Sequence, residues 1–162
     1  MRVIQATLEA MADWHANLMT SADDIARIVK ATRRIAVLGI KTDAQRGAAA
    51  FYVPEYMQRA GYEIVPVPVY YHDVTEILGQ RVYRTVSDIP GAIDMVNVFR
   101  RPRDIPPHVD DILAARPRVV WLQLGIRHDQ AAETLAKAGI QVVQDRCLLV
   151  EHRRLQTSVS AR

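Results

Sequence analysis

The stretch Arg34-Ile35-Ala36-Val37-Leu38-Gly39-Ile40-Lys41-Thr42-Asp43-Ala44-Gln45 decides the fold. Ile35 to Leu38 is a short apolar run bounded by a glycine, the signature of a strand buried on both faces. Gly39 stops it and opens a polar loop, and a helical pattern follows over about residues 48–59. Strand, glycine turn, loop and helix make the first unit of a doubly wound sheet. In that unit the glycine lets backbone approach a ligand, and the helix start offers unpaired N–H groups to an anion.

Upstream, Ser21 is placed to cap a helix with Asp24 as its capping-box partner, and Ile25, Ile28 and Val29 form the buried stripe. Lys30, Arg33 and Arg34 fall where a helix C-terminus favours positive charge. Before Ser21, Val3, Ile4, Leu8, Met11, Trp14 and Leu18 have helical spacing and predict a first amphipathic helix. Downstream, strand and helix alternate. A helix over 51–60 ends at Gly61, and its Pro54 requires a start near Tyr52 or Val53. A strand over 63–69 is cut short by Pro66 and Pro68. A short helical turn is expected around 74–78, an extended piece over 81–86 and a turn at 87–90. Further strands are expected over 94–99, 118–122 and 140–143, and helices over 108–115, 129–138 and 148–155. Short apolar strands separated by helices imply a parallel sheet covered on both faces, with right-handed crossovers. The expected architecture is a three-layer α/β Rossmann-like fold: a central parallel five-stranded sheet plus an N-terminal helical extension. The boundaries are 1–32 for the extension, 33–155 for the Rossmann-like domain and 156–162 for a flexible tail.

At 162 residues the chain is one domain with room for a substantial core. A formal net charge of +3 suits an anionic small ligand and falls short of the dense basic face of a nucleic-acid binder. One cysteine, Cys147, excludes an intramolecular disulfide and a multi-cysteine metal site. With no signal-peptide pattern at the start and no apolar run near the roughly 20 residues of a membrane span, the expected location is the cytoplasm.

Ligands of such sheets sit outside the carboxyl ends of the strands. That rule selects four loops. The first carries Gly39, Lys41, Arg46 and Gly47, where the cations offset phosphate charge; it is neither a full GxGxxG nor a Walker loop. The second runs from Pro66 and Val67 to Tyr71. The third is Phe99-Arg100-Arg101-Pro102. There an arginine can hold a phosphate in bidentate fashion, and Asp104 is the competing partner. The fourth carries Gln123, Gly125 and Ile126. Gln123 suits recognition of amides or bases, and Gly125 suits close approach or a tight turn. Catalytic signals are weak. The five histidines show no metal-ligand spacing, no Gly-x-Ser-x-Gly elbow occurs, and Cys147 beside Arg146 stands alone. The end of strand two lacks the acidic residue that NAD enzymes use on ribose.

Ile-Ala-Val-Leu-Gly (35–39), Ala-Gly-Tyr-Glu-Ile-Val-Pro-Val (60–67), Ile-Leu-Gly-Gln-Arg-Val-Tyr (77–83), Ser-Asp-Ile-Pro (87–90), Asp-Met-Val-Asn-Val-Phe-Arg-Arg-Pro (94–102), Val-Trp-Leu-Gln-Leu-Gly-Ile (120–126) and Asp-Arg-Cys (145–147) occur in this order. Over about residues 33–155 the chain resembles the small stand-alone CoA-binding proteins. Those are Rossmann-like domains similar to the CoA-binding domain of the succinyl-CoA synthetase α subunit. The resemblance implies that Gly39, Ile40, Lys41 and the region of Arg46 contact CoA phosphates. It further implies that Pro66 and Val67 lie near the adenosine, that Phe99, Arg100, Arg101 and Pro102 border pantetheine and pyrophosphate, and that Gln123, Gly125 and Ile126 close the site. The chain departs from the family at Lys41, where a serine is usual, and after Val67, where Pro68-Val69-Tyr70-Tyr71 replaces an asparagine-bearing end and offers a tyrosine for stacking. It has no room for the second domain that bears a phosphorylated histidine in the synthetases. The expectation is therefore a CoA or acyl-CoA binding module without catalytic residues or metal. The partner expected is a small-molecule nucleotide, with no nucleic acid or membrane; the N-terminal extension is expected either to cover an edge of the sheet or to mediate a homodimer. Two alternatives stand beside it: an NADP-dependent oxidoreductase using the same crevice, and a protein that forms a mixed disulfide with CoA through Cys147.

Overall fold

The computed structural model describes residues 13–160. Seven strands and five helices are named in chain order: α1 (Ala22–Ala31), β1 (Arg34–Leu38), α2 (Ala49–Arg59), β2 (Glu63–Val67), β3 (Glu76–Ile77), β4 (Gln80–Arg81), β5 (Met95–Val98), α3 (Val109–Ala115), β6 (Val119–Leu122), α4 (Asp129–Lys137), β7 (Gln141–Val143) and α5 (Leu148–Ser160). Five strands form one sheet in the order β2-β1-β5-β6-β7, with every neighbouring pair parallel. The direction of winding reverses at β1: the chain steps out to β2, then crosses back to β5 on the other side.

Alternation along each strand divides the core into two layers, since successive side chains face opposite sides of a sheet. Ile35, Val37, Ile64, Met95, Val119, Trp121 and Val143 pack with α1, α2 and α5. Ala36, Leu38, Val65, Val67, Val96, Val98, Val120 and Leu122 pack with α3 and α4. The expected three-layer Rossmann-like arrangement is the one observed.

Both sheet edges are covered, which removes the usual hazard of open edge strands. At β7, Leu18 bridges to Val142, and the Met19 N–H donates to the Val142 carbonyl at 2.9 Å. The described part of the N-terminal segment therefore shields an edge. It holds a 3₁₀ turn at Trp14–Asn17, and most of the amphipathic helix expected around residues 3–18 lies outside the described residues. At the other edge the Tyr83 N–H donates to the Pro66 carbonyl at 3.0 Å. That bond also explains why β2 runs through Pro66 instead of ending before it. A strand residue's N–H and C=O point the same way, so the missing proline N–H faces outward and costs no ladder bond to β1.

Three other expectations are corrected. Residues 76–81 form a two-stranded antiparallel hairpin, not a helical turn, with positive φ at both Leu78 (54°) and Gly79 (71°). That pair of angles matches the twist of a tight hairpin. α5 continues to Ser160, past the expected end at Leu155. α2 begins at Ala49, which leaves Pro54 inside it, although an interior proline costs about 3 kcal/mol on propensity. The expected cap of α1 is present: Ser21 Oγ accepts from the Asp24 N–H at 3.1 Å, and Ile25, Ile28 and Val29 are its buried stripe.

Candidate functional site

The switch in strand order opens a cleft between the carboxyl ends of β1 and β5, where ligands of open α/β sheets bind. The cleft measures about 340 Å³, and three loops wall it: residues 39–41, 69–71 and 99–101. Three cationic side chains line it: those of Lys41, Arg100 and Arg101. Tyr71 also lines a second cavity of about 630 Å³. This neighbour is bounded by residues 42–46, by Phe51 and Glu55 of α2, and by the β3–β4 hairpin.

Arg100 is the electrostatic centre of the cleft. Its side chain is 14% exposed, and its Nε is buried without a hydrogen-bond partner among the described residues. The guanidinium lies 5.5 Å from the centre of the Tyr70 ring and 4.0 Å from Asp104 Oδ2. Asp104 is committed elsewhere, because Arg101 Nε donates to the same oxygen at 2.7 Å. Asp104 thus serves Arg101, as the sequence allowed, and leaves Arg100 poorly compensated. A buried donor with no acceptor is costly. Burial first, and the Arg100 charge second, hold the nearby His108 imidazole below its ordinary range.

The backbone contributes differently from expectation. Gly39 has φ +87°, and a Cβ there would collide with the Phe99 carbonyl and sit 3.2 Å from Arg100 Cδ. The glycine is needed for the close passage of the loop after β5. The Gly39 N–H donates to the Val67 carbonyl at 2.9 Å, and the Lys41 N–H to the Ala50 carbonyl at 3.1 Å. Thr42 donates to Gln45 Oε1 from both its N–H (3.2 Å) and its Oγ1 (2.8 Å). These amides hold the loop to its own domain, which leaves side chains to face the cleft.

The remaining sequence candidates are spread more widely. Ile40 is in the cleft wall but buried. Arg46 lines the larger neighbouring cavity, with its guanidinium 5.8 Å from the Phe51 ring centre. Pro66 and Val67 are buried inside β2, in register with Val37 and Leu38. Pro102 starts an exposed 3₁₀ turn beyond Arg101. The fourth loop does not line the cleft. Gln123 is 3% exposed, and its Oε1 accepts from Asn97 Nδ2 at 3.3 Å and from the Leu148 N–H at 3.4 Å, tying the start of α5 to the sheet. Gly125 has φ +80° with open space around it, and its N–H donates to Asp145 Oδ1 at 2.6 Å. The Ile126 carbonyl accepts from the Asp145 N–H at 3.1 Å. Cys147 is half-buried against the core, and Arg146 is engaged with the Thr20 carbonyl (2.9 Å) and with Glu151 (3.5 Å). Among the described residues, no group of three or more His, Cys, Asp or Glu side chains could hold a metal ion. No described helix is long and apolar enough to cross a membrane.

Two contributors escaped the sequence reading. Arg84 donates to the carbonyls of Tyr71 (3.3 Å), His72 (2.9 Å) and Val74 (2.6 Å), which fixes the segment that carries Tyr71 into the cleft. No local pattern announces such a clamp. The Thr42–Gln45 box was legible, because Thr-x-x-Gln is a capping-box spacing.

A doubly wound parallel sheet with a cationic cleft at its switch point defines a Rossmann-like domain suited to an anionic ligand. The family model described as a CoA binding domain matches residues 33–153, and the chain belongs to that family. It is 35% identical to the uncharacterized protein YneT of Bacillus subtilis over 132 residues, which is 82% of this chain and 94% of that one. A structure from Thermus thermophilus superposes with a TM-score of 0.76 at 37% identity, covering 84% of this chain and 99% of that one. A hypothetical protein from Pyrococcus horikoshii gives 0.75 at 30% identity, covering 85% and 93%. The dinucleotide-forming acetyl-coenzyme A synthetase 1 of Ca. Korarchaeum cryptofilum shares the fold at 18% identity, with a TM-score of 0.56 over 67% of this chain and 25% of that one.

Proposed function

We propose that this chain binds CoA or an acyl-CoA, with the phosphates held by Lys41, Arg100 and Arg101, and that it acts as a binding module. The observation that carries the reading is the gathering of Lys41, Arg100 and Arg101 on one cleft at the switch in strand order, with Asp104 as the carboxylate recorded beside the two arginines among the described residues. Phosphate oxygens are the acceptors that a rigid guanidinium fork fits best. Tyr70 and Tyr71 offer aromatic faces at the same rim, which suits a ligand carrying both phosphates and a purine. Tyr71 lines both the cleft and the larger cavity, so the two lie side by side. CoA would bring a thiol or thioester to the site. On this reading the chain's own part is to bind and orient it; among the described residues the cleft wall carries no carboxylate, histidine or cysteine.

Thermal unfolding with CoA, dephospho-CoA and NADP tests the reading. At a hundredfold excess over the dissociation constant, a ligand that binds only the folded chain adds about 2.7 kcal/mol. For a chain of this size that raises the midpoint by roughly 5–10 °C. CoA is expected to do so, dephospho-CoA less. No shift with CoA at millimolar concentration, or a larger shift with NADP, would overturn the proposal.

A further inference from the structure

Pro54 lies inside α2, where its ring removes the N–H that would bond the carbonyl four residues earlier. That carbonyl belongs to Ala50, a buried residue. It accepts instead from the Lys41 backbone N–H at 3.1 Å, the bond that ties the first cleft loop to α2. An apparent flaw in the helix thus coincides with an anchor for the loop carrying one of the three cleft cations.

We propose that Pro54 is a positioning residue for the cleft. By lacking an amide it leaves the Ala50 carbonyl to Lys41, and this sets the Lys41 backbone where its ammonium shares the cleft with Arg100 and Arg101. Any other residue at position 54 brings an N–H that competes for the same carbonyl along the helix axis. A carbonyl can accept twice, so the competitor weakens the anchor and does not abolish it. The proline ring also crowds the carbonyl four residues back, which favours a partner off the axis. The rest of the loop is braced from other directions: Gly39 to Val67, and Thr42 to Gln45. The consequence for ligand affinity rests on the proposed CoA reading; the anchoring itself does not.

Pro54→Ala and Pro54→Val both restore the N–H, and the valine variant keeps most of the side-chain volume. Amide hydrogen exchange of the free protein reads the anchor, and titration calorimetry with CoA reads its effect on the site. In both variants the Lys41 amide is expected to exchange about twofold to fivefold faster, and CoA affinity to fall by up to a similar factor, less than the roughly tenfold of losing one ordinary hydrogen bond outright. Unchanged Lys41 exchange in both variants overturns the proposal. A loss in Pro54→Ala that Pro54→Val restores overturns it too, because packing and not the amide would then be responsible. Faster exchange with undiminished CoA affinity removes the positioning role. If the wild-type chain binds no CoA, the CoA reading fails, and the exchange measurement still decides whether Pro54 frees the anchor.

Discussion

Replacing Arg100 with methionine separates a binding role from a structural one. Methionine keeps an unbranched stem of similar reach, so packing along the side chain is largely retained. The variant loses the contact over Tyr70, at 5.5 Å and with Tyr70 55% exposed, worth about 0.5–1 kcal/mol. It loses a loose 4.0 Å approach to Asp104, whose carboxylate keeps Arg101 at 2.7 Å. Against this, it removes a buried Nε without an acceptor, a penalty of about 1–3 kcal/mol. The free protein is therefore expected to unfold in urea within about 1 kcal/mol of wild type, or to be slightly more stable. Binding moves the other way. A charge-assisted bond to a phosphate is worth about 1.5–3 kcal/mol, so CoA affinity by calorimetry is expected to fall roughly tenfold to 150-fold. A variant destabilised by more than about 2 kcal/mol with undiminished CoA affinity would refute the reasoning, because Arg100 would then serve the fold and not the ligand.

Gly39→Ala meets both a positive φ and the Phe99 carbonyl, whereas Gly125→Ala meets a positive φ with open space around it. The first is expected to cost about 2 kcal/mol or more and the second about 1 kcal/mol by denaturant midpoint; equal costs would discount the collision. His152 is buried, with Nδ1 2.8 Å from the Tyr56 hydroxyl, and burial holds its imidazole below the ordinary 6.5. The unfolded chain then binds the proton more readily. The stability His152 contributes is whole above about pH 6.5 and declines as pH falls through its folded value. Unfolding free energy measured between about pH 5 and pH 7 should show that decline, and His152→Gln should flatten it; an identical slope in both proteins counts against the assignment.

The layered fold was legible because apolar strand residues and glycine-ended helices repeat through the chain. Ile35 and Val37 on one face and Ala36 and Leu38 on the other follow directly from alternation. What escaped was long-range. The direction of a missing N–H at Pro66 depends on Tyr83, and the tolerance of Pro54 depends on Lys41. The hairpin at 76–81 was hidden because one of its two positive-φ positions is a leucine. Three of the four loops chosen from strand ends contribute residues to one cleft. The fourth looked equivalent because Gln123 and Gly125 have the same chemistry in a ligand site as in an internal tether. Only burial, and the bonds to Asn97, Leu148 and Asp145, distinguish the two.

The internal use of loop amides changes how the cleft can discriminate. In a phosphate loop built from free N–H groups, selectivity comes from a rigid concave backbone. Here Gly39, Lys41 and Thr42 spend their amides on Val67, Ala50 and Gln45. On the proposed reading, recognition would fall to three residues in unequal settings. Lys41 and Arg101 are exposed, so their attraction for an anion is weakened by solvent and by salt. Arg100 is mostly shielded, at 14% exposure, so on the proposed reading its interaction with a phosphate would be less screened. On that reading the exposed pair would favour encounter with polyanionic ligands in general, while Arg100 would favour one that brings an oxygen close to its shielded side chain. On the same reading, selectivity in this cleft would depend on the depth an anion can reach as well as on its charge, and the close Gly39–Phe99 passage holds the backbone from which the Arg100 side chain starts.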